Sequence, residues 1–190
     1  MAPTWELRIT RLRQEKRKAM AFARTVSSYQ VFHNNVLVND PKLTGFFVER
    51  QGPGDNTKSG DTHDRRIEAK TYALSTHSGA KDPAKNIVKY KTIGYAKTTG
   101  IGDLPRASIR FLDTGARTGI LIHPGNGYIW SVGCFNPGHD LVDAKSNLKF
   151  VESRELVIAL IDDMKAFLSF PTANNQPIPG ATAVVIGEPT

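Results

Sequence analysis

His123 and Cys134 are the two residues whose types and spacing best suit covalent chemistry. They stand eleven positions apart, in Gly119-Ile120-Leu121-Ile122-His123-Pro124-Gly125-Asn126 and the following Ser131-Val132-Gly133-Cys134-Phe135-Asn136. An apolar run ending in an imidazole reads as a strand that delivers a base at its end. A loop with Pro124, Gly125 and Gly127 then lets the chain turn back and bring the only thiol to it. An imidazole beside a thiol favours the thiolate, so a lowered Cys134 pKa is expected. Gly133 lets the backbone approach a substrate carbonyl, and the amides around Cys134 are candidate donors to a developing oxyanion. A backbone carbonyl or an Asn is expected to fix the imidazole tautomer. The bland alternatives are a buried small thiol and a strand-capping histidine.

Other polar residues have weaker claims. Arg106, Arg110 and Arg117 flank the strand leading to His123, and a guanidinium near a thiol suits a substrate carboxylate. Arg117 is preferred among them, with a surface ion pair to Asp103 or Asp113 as the alternative. Tyr128 and Trp130 either wall the cleft or pack in the core. His123, Cys134 and His139 lack the tight paired spacing of a zinc site, so neither metal nor cofactor is expected. His33, His63 and His77 read as solvated turn or loop residues.

The elements that must position these groups read as mostly strands. Trp5, Leu7 and Ile9 alternate with polar residues, and Asn34-Asn35 between Tyr29–Phe32 and Val36–Val38 marks a hairpin. Strands are expected at Gly45–Glu49, Arg66-Ile67, Thr71–Leu74, Ile87–Ala96 and Ala107–Leu112, with Gln51–His63 as a polar loop. Ile120–Ile122 is the candidate central strand. One long helix is expected late, capped by Ser153, with Leu156, Leu160, Ile161, Met164, Phe167 and Leu168 on one face, ending before Pro171. Residues 1–170 then form one domain. Residues 171–190 form a Pro/Gly-containing tail able to add an edge strand.

Composition bounds the answer. The 190 residues are 39% hydrophobic, enough for one globular core. With 25 Lys and Arg against 18 Asp and Glu the net charge is +7, which favours polyanions such as nucleic acid, anionic membrane or bacterial cell wall without choosing among them. The basic run Arg11–Lys18 has no interleaved aromatics and no helix-turn-helix or finger spacing, so it reads as a solvated edge or basic turn rather than a nucleic-acid site. No segment approaches a membrane span, and the start lacks the apolar region of a secretory signal. Synthesis in the cytoplasm without such an address is therefore expected.

Ser131, Gly133, Cys134, Phe135 and Asn136 resemble, in register, the Ser/Thr-His-Gly-Cys-apolar-Asn/Arg signature of the L,D-transpeptidase family, with His123 matching its upstream His. Val132 stands where that family usually has His, and the interval from His123 is shorter. A second resemblance covers roughly Phe46 to Asn136. Asp64–Tyr72, Arg117–Asn126 and Gly133-Cys134 are similar to an uncharacterised bacterial and phage domain family carrying Gly-Ile-Leu-Ile-His-x-Gly-Asn and a later Gly-Cys. Glu68 and Lys70 replace its usual Pro and Gly. These resemblances imply a mostly β, sandwich- or barrel-like, L,D-transpeptidase-like domain with one C-terminal helix. They imply a cysteine transpeptidase or carboxypeptidase acting on peptidoglycan stem peptides, with His123, Cys134 and Gly133 catalytic. Arg117, Ser131, Asn136, Asn126 and Tyr128 are the candidates to contact substrate. Such an enzyme would reach the periplasm or cell wall by injection as an antibacterial effector or by phage lysis, and an immunity protein or secretion-apparatus component is a candidate partner. Val132 and the short interval favour the alternative, a non-catalytic cell-wall-binding or structural module.

Overall fold

A computed structural model describes residues 2–58, 65–82, 86–98 and 100–190. Strands β1 (Trp5–Glu15), β2 (Arg24–His33), β3 (Val36–Leu37), β4 (Thr44–Arg50) and β5 (Thr71–Ser75) fill the first half. Short strands follow: β6 (Lys81–Asp82), β7 (Ile87–Val88), β8 (Tyr90–Lys91), β9 (Arg106–Ala107), β10 (Ile109–Phe111), β11 (Leu121–Ile122) and β12 (Asn136–Gly138). One helix, α1 (Phe150–Phe167), precedes the last strand, β13 (Pro177–Ile186).

The principal sheet runs β11-β10-β5-β13-β1-β2-β4-β12, with β3 paired to β2. Its two ends meet. Ile122 of β11 bridges Phe135, the residue before β12, in parallel sense. The His123 N–H donates to the Phe135 carbonyl at 3.1 Å and the Phe135 N–H to the Leu121 carbonyl at 2.8 Å. The fold is thus a mostly β, nearly closed barrel-like sheet with a single helix near the C-terminus, and the seam that closes it carries both His123 and Cys134.

The alternation along β1 buries Trp5, Leu7 and Ile9 completely, in one core with Val157, Leu160, Ile161 and Met164 of α1. Aromatic rings back the seam from inside. Phe135 stacks on Phe111 with centroids 5.0 Å apart and meets Phe47 edge-on at 5.6 Å. The β2–β3 hairpin turns through Asn34 and Asn35 at φ 49° and 66°, the left-handed conformations that asparagine tolerates.

Several expectations fail for reasons beyond local pattern. Ile120–Ile122 is not central: β11 ends the hydrogen-bonded path at the seam. The C-terminal segment is not an edge-forming tail, because β13 lies between β5 and β1, parallel to β1, and buries Ile178, Ala181, Ala183 and Val185. Arg66-Ile67 forms no strand, and 87–96 breaks into short pieces. Ser153 is not a cap. The helix starts at Phe150, and Ser153 lies inside it with its hydroxyl accepting the Gly125 N–H at 2.9 Å. The basic run is a solvated turn only near Lys18, since β1 extends to Glu15 and Arg11 is buried. The loop expected over 51–63 has no strand over 51–58, and its later residues, with His63, lie outside those described.

Candidate active site

The parallel bridge between Ile122 and Phe135 dictates which side chains share a face. Ile122 and Phe135 are fully buried and point into the core. Their flanking residues, Leu121 and His123 on one strand and Cys134 and Asn136 on the other, therefore project to the opposite face. The antiparallel register continues the row, placing Leu121 opposite Arg110 and Arg110 opposite Ser75.

His123 is almost entirely buried, and its orientation is fixed by two neighbours. Nδ1 lies 2.8 Å from the Pro124 carbonyl, which can only accept, so the proton sits on Nδ1. The fully buried Asn136 lies against the same ring and donates through Nδ2 to the His123 carbonyl at 2.9 Å. Of the two groups expected as alternatives, the Pro124 carbonyl sets the tautomer, and Asn136 braces the His123 backbone. Nε2, left with the lone pair, makes no hydrogen bond to any described residue. Tyr90 packs its ring 4.5 Å from the imidazole. Burial, with Arg106 and His77 nearby, lowers the imidazole pKa to about 4 against the opposing effect of the Pro124 bond.

The Cys134 sulfur accepts the Leu121 N–H at 3.3 Å and faces the Gly119 carbonyl at 3.6 Å. No hydrogen bond joins it to the His123 ring. The residue keeps some solvent-exposed surface, yet burial of the sulfur among protein atoms pushes the thiol up to about 11, opposed by the Leu121 N–H and Arg117. This reverses the expected lowering. The pair rests as neutral thiol and neutral imidazole, because burial penalises both charged forms.

Gly133 is required where it stands. Its φ of +148° disfavours a side chain, and a Cβ there would run into the Arg117 guanidinium. Neither the Gly133 nor the Cys134 N–H donates a hydrogen bond among the described residues. Arg117 is itself 1% exposed and donates to the Val132 carbonyl at 3.0 Å. Through that carbonyl it holds the loop that carries Cys134.

The other candidates divide. Ser131 bonds the Cys134 carbonyl at 2.8 Å and ties the loop together. Asn136 braces His123, as described above. Asn126, half-buried, follows the Pro124-Gly125 turn. Tyr128 packs in the interior instead of walling an open cleft. It is buried, donates to the Glu15 carbonyl at 2.7 Å, and lies beneath the Arg17 and Arg24 guanidinium groups. His139 lines a groove of about 680 Å³ with Asp40, Glu152 and Asp163 along α1, and no three metal-binding side chains gather among the described residues.

Sequence reasoning passed over Tyr90 and His77. His77 is half-buried, and burial near Arg110 lowers its pKa to about 4, so it is not the solvated residue expected. His33 is not free in solvent either, because Nε2 meets Asp163 at 2.8 Å and the ring stacks on Phe167. These partners lie far away in sequence, and only the closed sheet brings them together.

No family model matches the chain, and neither the curated proteins nor the solved structures give a match. No helix among the described residues is long and apolar enough to cross a membrane.

Proposed function

We propose that the chain is a cysteine acyl-transfer enzyme of the L,D-transpeptidase kind, acting on peptidoglycan stem peptides. The observation that carries this reading is the His123 tautomer. With Nδ1–H committed to the Pro124 carbonyl, the Nε2 lone pair is available on the face of the seam that Cys134 shares. As substrate displaces water, Nε2 takes the thiol proton and the sulfur attacks the scissile carbonyl. The Gly133 and Cys134 amides supply donors to the oxyanion. The C–N bond breaks, the imidazolium returns its proton to the departing amine, and a thioester remains on Cys134. An amine acceptor then gives a cross-link or exchange product, whereas water gives a shortened stem and a regenerated thiol.

This is general-base chemistry from a neutral pair, not a resting ion pair. Mass spectrometry of muropeptides after incubation with the protein tests it: exchanged or shortened stems support it, and an unchanged profile contradicts it. A second reading, a cell-wall-binding module without turnover, is favoured by one observation, the raised thiol pKa without an imidazole contact. For the enzyme reading we further propose delivery to the periplasm or cell wall by injection or lysis. Growth arrest that appears only with an added export signal supports that route, and equal growth with and without the signal contradicts it.

A further inference from the structure

Among the described residues, Arg110 is a cation without an anion. It is half-buried on β10, between Ser75 and Leu121 in the cross-strand row that continues to Cys134, and its Nε is buried without a partner. No described carboxylate or carbonyl accepts from its guanidinium. The neighbouring polar groups are equally unmet. The Ser75 hydroxyl, on a residue 3% exposed, the hydroxyl of fully buried Ser108 two residues before Arg110, and His77 Nδ1 are all buried without partners among the described residues. His77 lies close enough to Arg110 to feel its charge, and His123 feels His77. Buried polar atoms are nearly always satisfied, so several unmet donors beside an unpaired guanidinium mark a place where a ligand supplies the acceptors.

We propose that Arg110, assisted by the Ser75 hydroxyl and the His77 imidazole, is the receptor for the terminal carboxylate of the peptide whose carbonyl Cys134 attacks. The inference rests on the acyl-transfer reading and replaces Arg117 as the carboxylate-binding arginine. Geometry sets the peptide's length. The Cys134 chain and β10 are separated by β11 alone, two strand spacings or about 10 Å. The arginine side chain spans much of that distance, and one peptide residue adds about 3.5 Å. A carboxylate in the fork therefore belongs to a residue within a step or two of the attacked carbonyl. The planar guanidinium accepts a carboxylate through two parallel bonds, a fit that a lysine ammonium lacks.

Binding separates this proposal from the chemistry it rests on. A stem tetrapeptide ending in D-Ala, and its C-terminal amide, are titrated into the Cys134→Ala protein, with Arg110→Gln and Arg110→Lys added to that background. The acid should bind at least tenfold more tightly than the amide. Arg110→Gln should erase that preference, and Arg110→Lys should restore only part of it. Unchanged thermal unfolding of the Arg110 variants keeps the comparison clean. Where they unfold early, Ser75→Ala, which removes one donor, should lower acid binding severalfold and leave amide binding unchanged. Equal binding of acid and amide, no binding of either, or a preference that survives Arg110→Gln overturns the proposal. An Arg110-dependent preference without turnover by the unmutated protein leaves the receptor standing and refutes acyl transfer.

Discussion

Two buried polar regions of this barrel are built in opposite ways. Reaching across β2 from β1 to β4, Arg11 grips Glu49 through Nε at 2.6 Å and Nη2 at 3.1 Å, with both side chains fully buried. Its remaining donor reaches Glu188, and Nη2 also reaches the Ile67 carbonyl. Arg66 completes the knot, bonding Glu188 through Nε and Nη2, Thr25 through Nη1 and the Pro189 carbonyl through Nη2. Every guanidinium nitrogen in it has an acceptor. At the seam and in the row beside it, Nε2 of His123, Oδ1 of Asn136, the Ser75 and Ser108 hydroxyls and Nε of Arg110 have no hydrogen-bond partner among the described residues. The fold itself satisfies the knot, whereas the unmet groups along the row carry a cost in stability.

The comparison breaks first at the knot. Glu49→Ala takes from buried Arg11 its one fully buried counter-ion, leaving the half-exposed Glu188, and the expected loss is about 3 kcal/mol, read by denaturant unfolding. A loss below about 1 kcal/mol would mean that the knot is not built as described. The seam should respond to pH. The folded His123 pKa of about 4 lies below its ordinary 6.5, so the unfolded chain binds the proton more readily between those values. Stability therefore falls as pH drops from 6.5 towards 4, by up to about 3 kcal/mol from this residue. His123→Gln should remove that share of the slope and leave the part due to His77, whose shift has the same sign. An unchanged slope would show that the imidazole is solvated. The smallest effect belongs to the knot's rim. Burial alone would raise the Glu188 pKa, but the Arg66 bond, the Gly54 N–H and Arg11 together hold it below its ordinary 4.5. Its contribution is complete above that pH and fades as pH falls through the lowered value. Glu188→Gln should flatten that acid limb, at a cost of no more than about 1 kcal/mol at neutral pH for so exposed a carboxylate.

What could be read from the sequence follows how local each cause is. The Asn34-Asn35 hairpin, the alternation of β1 and the apolar face from Leu156 to Met164 depend on neighbours a few residues away, and the structure keeps all three. His123, Cys134 and Gly133 could be singled out because their loop is short and their chemistry distinctive, and the structure brings His123 and Cys134 to one seam. The interior place of β13 was not, because it depends on parallel pairing with a strand at the other end of the chain. Nor was the burial of Arg11, whose partner is 38 positions distant. Arg110 could be named as a candidate but not preferred over Arg117. Only the register of β10 against β5 and β11 separates the arginine in the row with the thiol from the one beneath Gly133.

The seam's purpose is tested most directly by trapping the intermediate. The protein is incubated with stem tetrapeptide, quenched in acid and weighed intact by mass spectrometry. The account predicts one adduct equal in mass to the peptide less the free terminal amino acid that departs, labile to hydroxylamine and mapping to Cys134. The adduct should be absent in Cys134→Ala and reduced by about a hundredfold or more in His123→Ala. No adduct on the unmutated protein at any time, or an equal adduct in Cys134→Ala that still unfolds at the unmutated temperature, would contradict it.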